Sequence, residues 1–536
     1  MTDERGSRRV DPQLGRTRSG GVAPTLTDPL ARAASSWAGG RLGRIALTGH
    51  SWWTPLRIIL VVATITFGLG IVQKSPCVVE KWSDAAQPLP FSHMCYSDIS
   101  YLYVGRGLAE GILPYQPVDS LPGAKQPANS DAQHQFSIEY PVLTGAWMGA
   151  ASAVTHVIGK SPDLSGISPS AVGSDERVQY DGALFWGVNA VGFFVVLLVA
   201  LAFLVYAQRR RPWDAVLVAA SPALALSGMI NWDLLVVGCV AGFVWAWSTR
   251  RPVWAGIFIG LGTATKLFPL FFLGPLLVLC VRQRRFDAWL PTAAAALGSW
   301  LVVNLPVFYW SPDEYLWFWR FNSERGPDFG SLWLVAADYG HRATPHAVNV
   351  TTAVLFGVAC VVIGLLGLLA RRRPRLVQLM FLVVASFLLV NKVYSPQYVL
   401  WLLPLAALAR PRWRDLLIWQ ACEIFYFFAV WMHIANFFVT AGDPDWVYAL
   451  AIVIRILGVI YLMAMVVRDI VRPWHDPVRK DGLSDDPLGG IFDEGVDAQL
   501  YDAGLDHRSS PGQVDDGEAE VEQISEDSDR DPLYAS

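Results

Sequence analysis

Apolar residues in this chain come in long unbroken runs, not in the alternating or three-and-four rhythm of a soluble core. One run covers residues 56–73 and the next clear one residues 183–207. Others cover about 288–309, 350–370, 415–438 and 447–467, each close to the ~20 residues that carry a helix across a bilayer. Three segments, about 215–249, 252–281 and 376–409, are bounded by arginine at both ends and read as helical hairpins. At about 1.5 Å per residue the second hairpin is too short for two full crossings, and the third is tight. The pattern predicts an all-α polytopic membrane protein of about twelve transmembrane helices.

Six basic clusters punctuate these runs: Arg209–Arg211, Arg250 and Arg251, Arg282 with Arg284 and Arg285, Arg371–Arg373 with Arg375, Arg410 with Arg412 and Arg414, and Arg468 with Arg472. All can be placed on one side of a membrane, and lysine and arginine bias identifies that side as cytoplasmic. Both termini then fall inside. The stretch from Lys74 to about Asp181 becomes a long first outer loop, and residues 310–349 a second one.

The 140–159 stretch inside the first loop is long enough to span. As a span it would put most arginine clusters outside. The reading that keeps them together is a helix lying along the membrane surface. The domain reading is a disordered cytoplasmic segment 1–54, a transmembrane domain 55–470 and an acidic disordered tail 471–536.

Composition agrees with this pattern. The 536 residues are 53% hydrophobic and only 16% charged, against about a quarter charged in soluble domains. Six cysteines make no framework, but Cys77 and Cys95 share the first outer loop, where a disulfide is plausible in an oxidising compartment. No His or Cys spacing suited to a metal, no Walker A sequence and no dinucleotide fingerprint occurs. The sequence thus requires no divalent metal and points to no nucleic-acid partner; a gradient or a pre-activated substrate must supply the energy. Oligomeric state is not encoded in any recognisable way.

Polar residues at the outer side are the candidate chemistry. Lys266 and Lys392 sit at the outer tips of the two tight hairpins, which should be sunk below the outer surface around a hollow. Intramembrane lysines tend to be functional, and two facing one hollow would bind an anion such as phosphate; snorkelling to headgroups is the bland alternative. Asp98, bracketed by Tyr96 and Tyr101, suits a general base for a hydroxyl, or caps a helix. Glu139, beside Tyr140, reads as a site acid or as an acid at a helix start. Asn231 and Asp233 lie at the first hairpin's tip, where Asp233 is a site carboxylate or a loop cap. Arg320 and Arg325 bind a phosphate or a lipid headgroup, or pair with Glu314 and Glu324. Glu423 and Arg455, at similar depths in the last two spans, read as a bridge locking two helices.

The combination of Glu139-Tyr140-Pro141, Lys266-Leu267-Phe268-Pro269 and Asn391-Lys392-Val393-Tyr394-Ser395-Pro396-Gln397-Tyr398 resembles glycosyltransferase family 87, within the GT-C superfamily of integral membrane glycosyltransferases. Over roughly residues 50–470 the chain is similar to actinobacterial polyprenyl-phosphate-mannose-dependent α-mannosyltransferases. Val142 after Pro141, and Gly228-Met229-Ile230-Asn231 at the hairpin tip, depart from the usual family pattern.

The resemblance implies an inverting transfer of a sugar, mannose above others, from a polyprenyl-phosphate donor to a glycolipid or polysaccharide hydroxyl of the cell envelope, at the outer face of the plasma membrane. Asp98 would be the base. Lys266, Lys392 and Arg325 would hold the donor phosphate, and Glu139, Tyr140, Asn231, Asp233, Tyr394, Gln397 and Tyr398 are candidate substrate contacts. A flippase for a lipid-linked sugar and a polysaccharide polymerase or ligase are the alternatives; the latter would lean on Arg320 and His341.

Overall fold

The computed structural model describes residues 28–37, 52–79, 89–117, 136–159, 164, 169–439, 444–479 and 485–494. The described residues form helices joined by turns, without strands. The principal helices are α1 (Pro29–Trp37), α2 (Pro55–Val79), α3 (Asp98–Gly105), α4 (Val142–Gly159), α5 (Glu176–Ala207), α6 (Asp233–Ser248), α7 (Pro252–Thr265), α8 (Leu273–Gln283), α9 (Phe286–Trp310), α10 (Pro312–Glu324), α11 (Pro345–Leu369), α12 (Leu376–Val390), α13 (Val399–Ala409), α14 (Trp413–Ile434) and α15 (Trp446–Val471). Seven of them, α2, α4, α5, α9, α11, α14 and α15, are long and apolar enough to cross a membrane. Twelve full-length crossings are therefore not present among the described residues; five further apolar helices have only 10–17 residues.

The short helices are the interior of the bundle. Every residue of α13 is buried, and nearly all of α12. A helix apolar on all sides is stable only when surrounded, here by protein. By contrast only 11% of the apolar window of α11 and 17% of that of α9 is buried, leaving their flanks for lipid. Close approach of α7 to α9 depends on Gly256 and Gly260: a Cβ there would lie 2.2 Å from the Thr292 carbonyl oxygen and 2.3 Å from that of Ala296. Small residues four apart are the usual means by which helix backbones touch in membranes.

The arginine-bearing ends meet. Arg282 donates to the carbonyls of Gly367 and Ala370 at 3.1 and 2.8 Å. Arg375 reaches the Leu408 carbonyl at 2.9 Å, and Arg410 pairs with Asp415 at 2.6 Å and with Asp469.

Part of the stretch expected to be a disordered tail closes this end instead. Asp476 is buried against Arg375 at 2.8 Å, Asp485 bonds Arg372 at 2.9 Å, and the Phe492 ring packs on Trp247 with centroids 5.1 Å apart. Three aspartates, Asp476, Asp485 and Asp486, facing Arg375, Arg372 and Arg373 supply the reason: each acid sets an opposite charge beside a cation taken out of water. Likewise α1, within the expected disordered N-terminal segment, docks through Asp28, which accepts from the Trp413 amide at 3.0 Å. The remainder of residues 1–54 and of the tail lies outside the described residues, apart from 52–54.

Helix α4 packs along α5. Trp147 Nε1 donates to Asn189 at 3.0 Å, and a Cβ on Gly159 would meet Asp181 at 2.2 Å. Asn189 is 18 residues from Ala207 and Asp181 is 26, so these contacts stand about 27 and 39 Å from the arginine end. A hydrocarbon core is about 30 Å thick. Helix α4 thus runs antiparallel to the first half of α5 and is packed along it, where the sequence reading expected a helix lying along the membrane surface.

Candidate functional site

Opposite the arginines, the hairpin tips end early. Helix α7 has 14 residues and α12 has 15, so Lys266 and Lys392 stand only about 21–22 Å from the basic end. Above them opens a cavity of about 850 Å³ lined by Asp98, Arg106, Glu139, Tyr140, Asn231, Lys266, Arg325, Lys392, Gln397 and Tyr398, together with aromatic side chains. Residues from segments almost 300 positions apart in sequence share this one chamber.

Asp98 begins α3, where the helix dipole favours a carboxylate. Its Oδ1 accepts from the Tyr96 hydroxyl at 2.7 Å and its Oδ2 from the Asn231 amide at 2.7 Å. The same Asn231 nitrogen donates to the Tyr140 hydroxyl oxygen at 2.8 Å. The backbone is fixed as well: the Asp98 amide donates to the Ile230 carbonyl at 2.8 Å, and Ser97 Oγ to the Met229 carbonyl at 2.7 Å. Burial raises the Asp98 carboxyl above the ordinary carboxylate range, and the Tyr96 and Asn231 donors oppose that rise. Glu139 is also raised by burial, against the opposing pull of Arg106, to which it is paired.

Lys266 faces the Tyr140 ring at 4.9 Å and has Asp233 at 3.5 Å. Lys392 donates to the Arg325 carbonyl at 2.6 Å and lies 3.5 Å from that of Ser323. Among the described residues it forms no ion pair, so its charge is directed at the chamber. Arg325 lines the chamber too, but pairs with Asp328, not with Glu314 or Glu324. Two backbone bonds, Asp328 amide to Lys392 carbonyl at 2.8 Å and Tyr394 amide to Phe329 carbonyl at 3.0 Å, fasten the second outer loop to the Lys392 tip. Gly330 makes the approach possible: its φ is +76°, and a Cβ would lie 2.1 Å from the Tyr394 carbonyl oxygen.

Two expected substrate contacts prove otherwise placed. Asp233 is fully buried outside the chamber lining, accepts from Trp401 Nε1 at 2.7 Å, and serves Lys266 as counter-ion. Tyr394 points away from the chamber, its hydroxyl donating to Glu423 at 3.0 Å. Glu423 in turn binds Arg455 at 2.7 Å, and Arg455 also donates to the Tyr394 carbonyl and, at 3.1 Å, to that of Ser395. The Glu423–Arg455 bridge thus locks the hairpin tip as well as α14 to α15. Arg320 and His341 are exposed and do not line the chamber.

Arg106 and Asn322, on the chamber wall, were not singled out by the sequence; Trp401 also lines it, stacked on Tyr398 with centroids 3.9 Å apart. Arg106 carries no local signal, being one arginine in a polar loop. Cys77 and Cys95 are bonded, with Cα atoms 5.6 Å apart. No group of three or more His, Cys, Asp or Glu suited to a metal occurs among the described residues.

Residues 177–391 match the model of glycosyltransferase family 87. The matched stretch contains Asn231, Asp233, Lys266 and Arg325 and stops one residue before Lys392; Asp98, Arg106 and Glu139 precede it. No curated protein matches the chain. The match supports a glycosyltransferase, and the long apolar helices a membrane-embedded one.

Proposed function

We propose that the protein is an inverting glycosyltransferase that uses a polyprenyl-phosphate sugar, mannose being the first candidate, to glycosylate a glycolipid or polysaccharide hydroxyl of the cell envelope. The observation that carries this reading is the convergence of Asp98 and Lys392 on one chamber at the end away from the arginines. With the arginines cytoplasmic, the chamber faces outside and the enzyme sits in the plasma membrane. A donor already activated on a lipid phosphate suits that side, since it needs no cytosolic nucleotide.

In this reading the acceptor hydroxyl approaches the sugar's anomeric carbon from the Asp98 side. Asp98 takes the hydroxyl proton, the new C–O bond forms, and the bond from the anomeric carbon to the phosphate oxygen breaks. Polyprenyl phosphate departs with the bonding electrons, and configuration inverts. Asp98 keeps a free lone pair on each oxygen after accepting from Tyr96 and Asn231. General base assistance contributes about 10²–10⁴-fold.

Lys392, with Arg325, meets the charge that grows on the leaving phosphate; preorganised cations in a water-poor chamber are worth several kcal/mol, roughly 10²–10³ in rate per donor. Lys266 balances the site between Asp233 and the substrate. Tyr140, Gln397 and Tyr398 contact the sugar, and Phe318, Phe321 and Phe387 provide an apolar path for the isoprenoid.

The test is purified protein with radiolabelled polyprenyl-phosphate mannose and a mannoside acceptor. Glycosidic product that disappears with Asp98→Asn supports the reading. Movement of the lipid across liposomes without product would favour a flippase instead.

A further inference from the structure

One turn of α2 grips the segment that carries Asp98. Gln73 Nε2 donates to the Met94 carbonyl at 2.6 Å; Lys74 Nζ donates to the Tyr96 carbonyl at 3.0 Å and lies 3.4 Å from that of Met94. Four residues after Gln73, Cys77 is bonded to Cys95. Positions 73, 74 and 77 share one helix face, so three side chains converge on the three residues Met94–Tyr96. Met94 has a positive φ of 56°, a backbone form that a non-glycine residue holds only when its surroundings enforce it.

Lys74 is the unusual member. Its side chain is completely buried, and among the described residues it has no carboxylate in ion-pair contact. Its ammonium instead lies 5.3 Å from the Phe427 ring centroid and 5.9 Å from that of Trp431. A buried cation held by two carbonyls and two ring faces is costly to keep for packing alone. What it holds is the carbonyl of Tyr96, and Tyr96 is the residue whose hydroxyl bonds Asp98 and whose ring packs 5.2 Å from Trp431.

We infer that Lys74 is a positioning residue for Asp98, acting through Tyr96, whose carbonyl it holds and whose hydroxyl bonds the carboxylate, with the Cys77–Cys95 disulfide as the second anchor of the same clamp. Lys74 does not line the chamber; it sets where the base stands. The inference rests on the transferase reading for its catalytic readout, but the clamp itself is measurable without any substrate.

Lys74→Met is expected to lower kcat about tenfold or more, because an ångström-scale misplacement of a catalytic group costs up to about 10². KM for polyprenyl-phosphate mannose should change less than twofold. Tyr96→Phe removes the hydroxyl through which the clamp acts, so in that background Lys74→Met should cost much less than tenfold. Equal losses in the two backgrounds would overturn the inference, as would a change confined to KM.

Backbone hydrogen exchange should rise at residues 95–99 in Lys74→Met and stay unchanged at Lys392; unchanged exchange at 95–99 would overturn the clamp whatever the activity. Should Lys74→Met not fold, reduction of the folded wild-type protein decides: exchange at 95–99 is expected to rise and kcat to fall severalfold, and no change in either refutes the assignment. If wild type shows no transfer at all, the proposed function fails while the exchange experiment still judges the clamp.

Discussion

Replacing Arg455 by Met tests whether the Lys392 tip is held from behind. Arg455 is fully buried; it binds Glu423 at 2.7 Å, donates to the Tyr394 and Ser395 carbonyls, and stacks 3.4 Å from the Tyr394 ring centroid. Removing one partner of a buried pair costs about 3–5 kcal/mol, because the other charge is stranded. Two carbonyls also lose a charged donor, worth roughly 1 kcal/mol each.

The single variant should therefore lose about 5 kcal/mol, a drop in Tm on the order of 10 °C. Glu423→Met strands the guanidinium, though two carbonyls still serve it, and leaves the Tyr394 and Trp419 donors unmet, so it should also lose about 5 kcal/mol. With both replaced by Met no charge is stranded, and the loss should be about 4 kcal/mol, from the two unmet carbonyls and the Tyr394 and Trp419 donors that lose Glu423. Thermal unfolding in detergent of the three variants reads this cycle. A double variant as damaged as the sum of the singles would refute the reasoning. So would wild-type transfer by Arg455→Met at a temperature where it is folded, since Tyr394 and Ser395 lie two and three residues from Lys392.

Four further outcomes follow from the site and its surroundings. Asp98→Asn should lower transfer by about 10²–10⁴ while donor binding, measured by equilibrium dialysis, persists. Because burial raises the Asp98 carboxyl, the acid limb of the rate–pH profile should lie above the ordinary carboxylate range. Tyr96→Phe removes a donor that favours the anion, so the limb should move to still higher pH; a shift to lower pH contradicts the assignment. Lys392→Met should cost about 10²–10³ in kcat/KM for the lipid donor, whereas Arg320→Met, on an exposed position outside the chamber, should change it less than about threefold. Asp476→Ala leaves Arg375 buried without its carboxylate and should destabilise by about 3–5 kcal/mol in the same unfolding assay, without altering KM of the remaining folded enzyme.

What the sequence could show depended on whether the burying medium mattered. Lys266 and Lys392 stood out because a lysine in an apolar run is anomalous in lipid and protein alike, and both indeed line the chamber. Asp98 stood out only through its company. Asp233 and Tyr394 fall outside the chamber lining, since a motif gives position along the chain and not the direction of a side chain: one faces Trp401 and Lys266, the other Glu423. Hydropathy alone could not tell which apolar helices face lipid and which face protein. The most apolar hairpin, α12 with α13, is surrounded by other helices, while α11 is bare. Lys74 passed as a residue ending a span, and only three-dimensional contact with Tyr96 gives it meaning. Asp476, Asp485 and Asp486 read as solvated charge because Arg375, Arg372 and Arg373, which they meet, lie about 100–113 positions upstream.

The account stands most directly on Asp98 and Lys392 opening to one side of the membrane, away from the arginines. Single cysteines at positions 98, 392 and 371, in a protein whose unpaired native cysteines are replaced, can be challenged with a membrane-impermeant thiol reagent in sealed, right-side-out vesicles. The account predicts labelling at 98 and 392, blocked by the lipid donor, and none at 371 until the vesicles are opened. Labelling of 98 and 392 from opposite sides would contradict it.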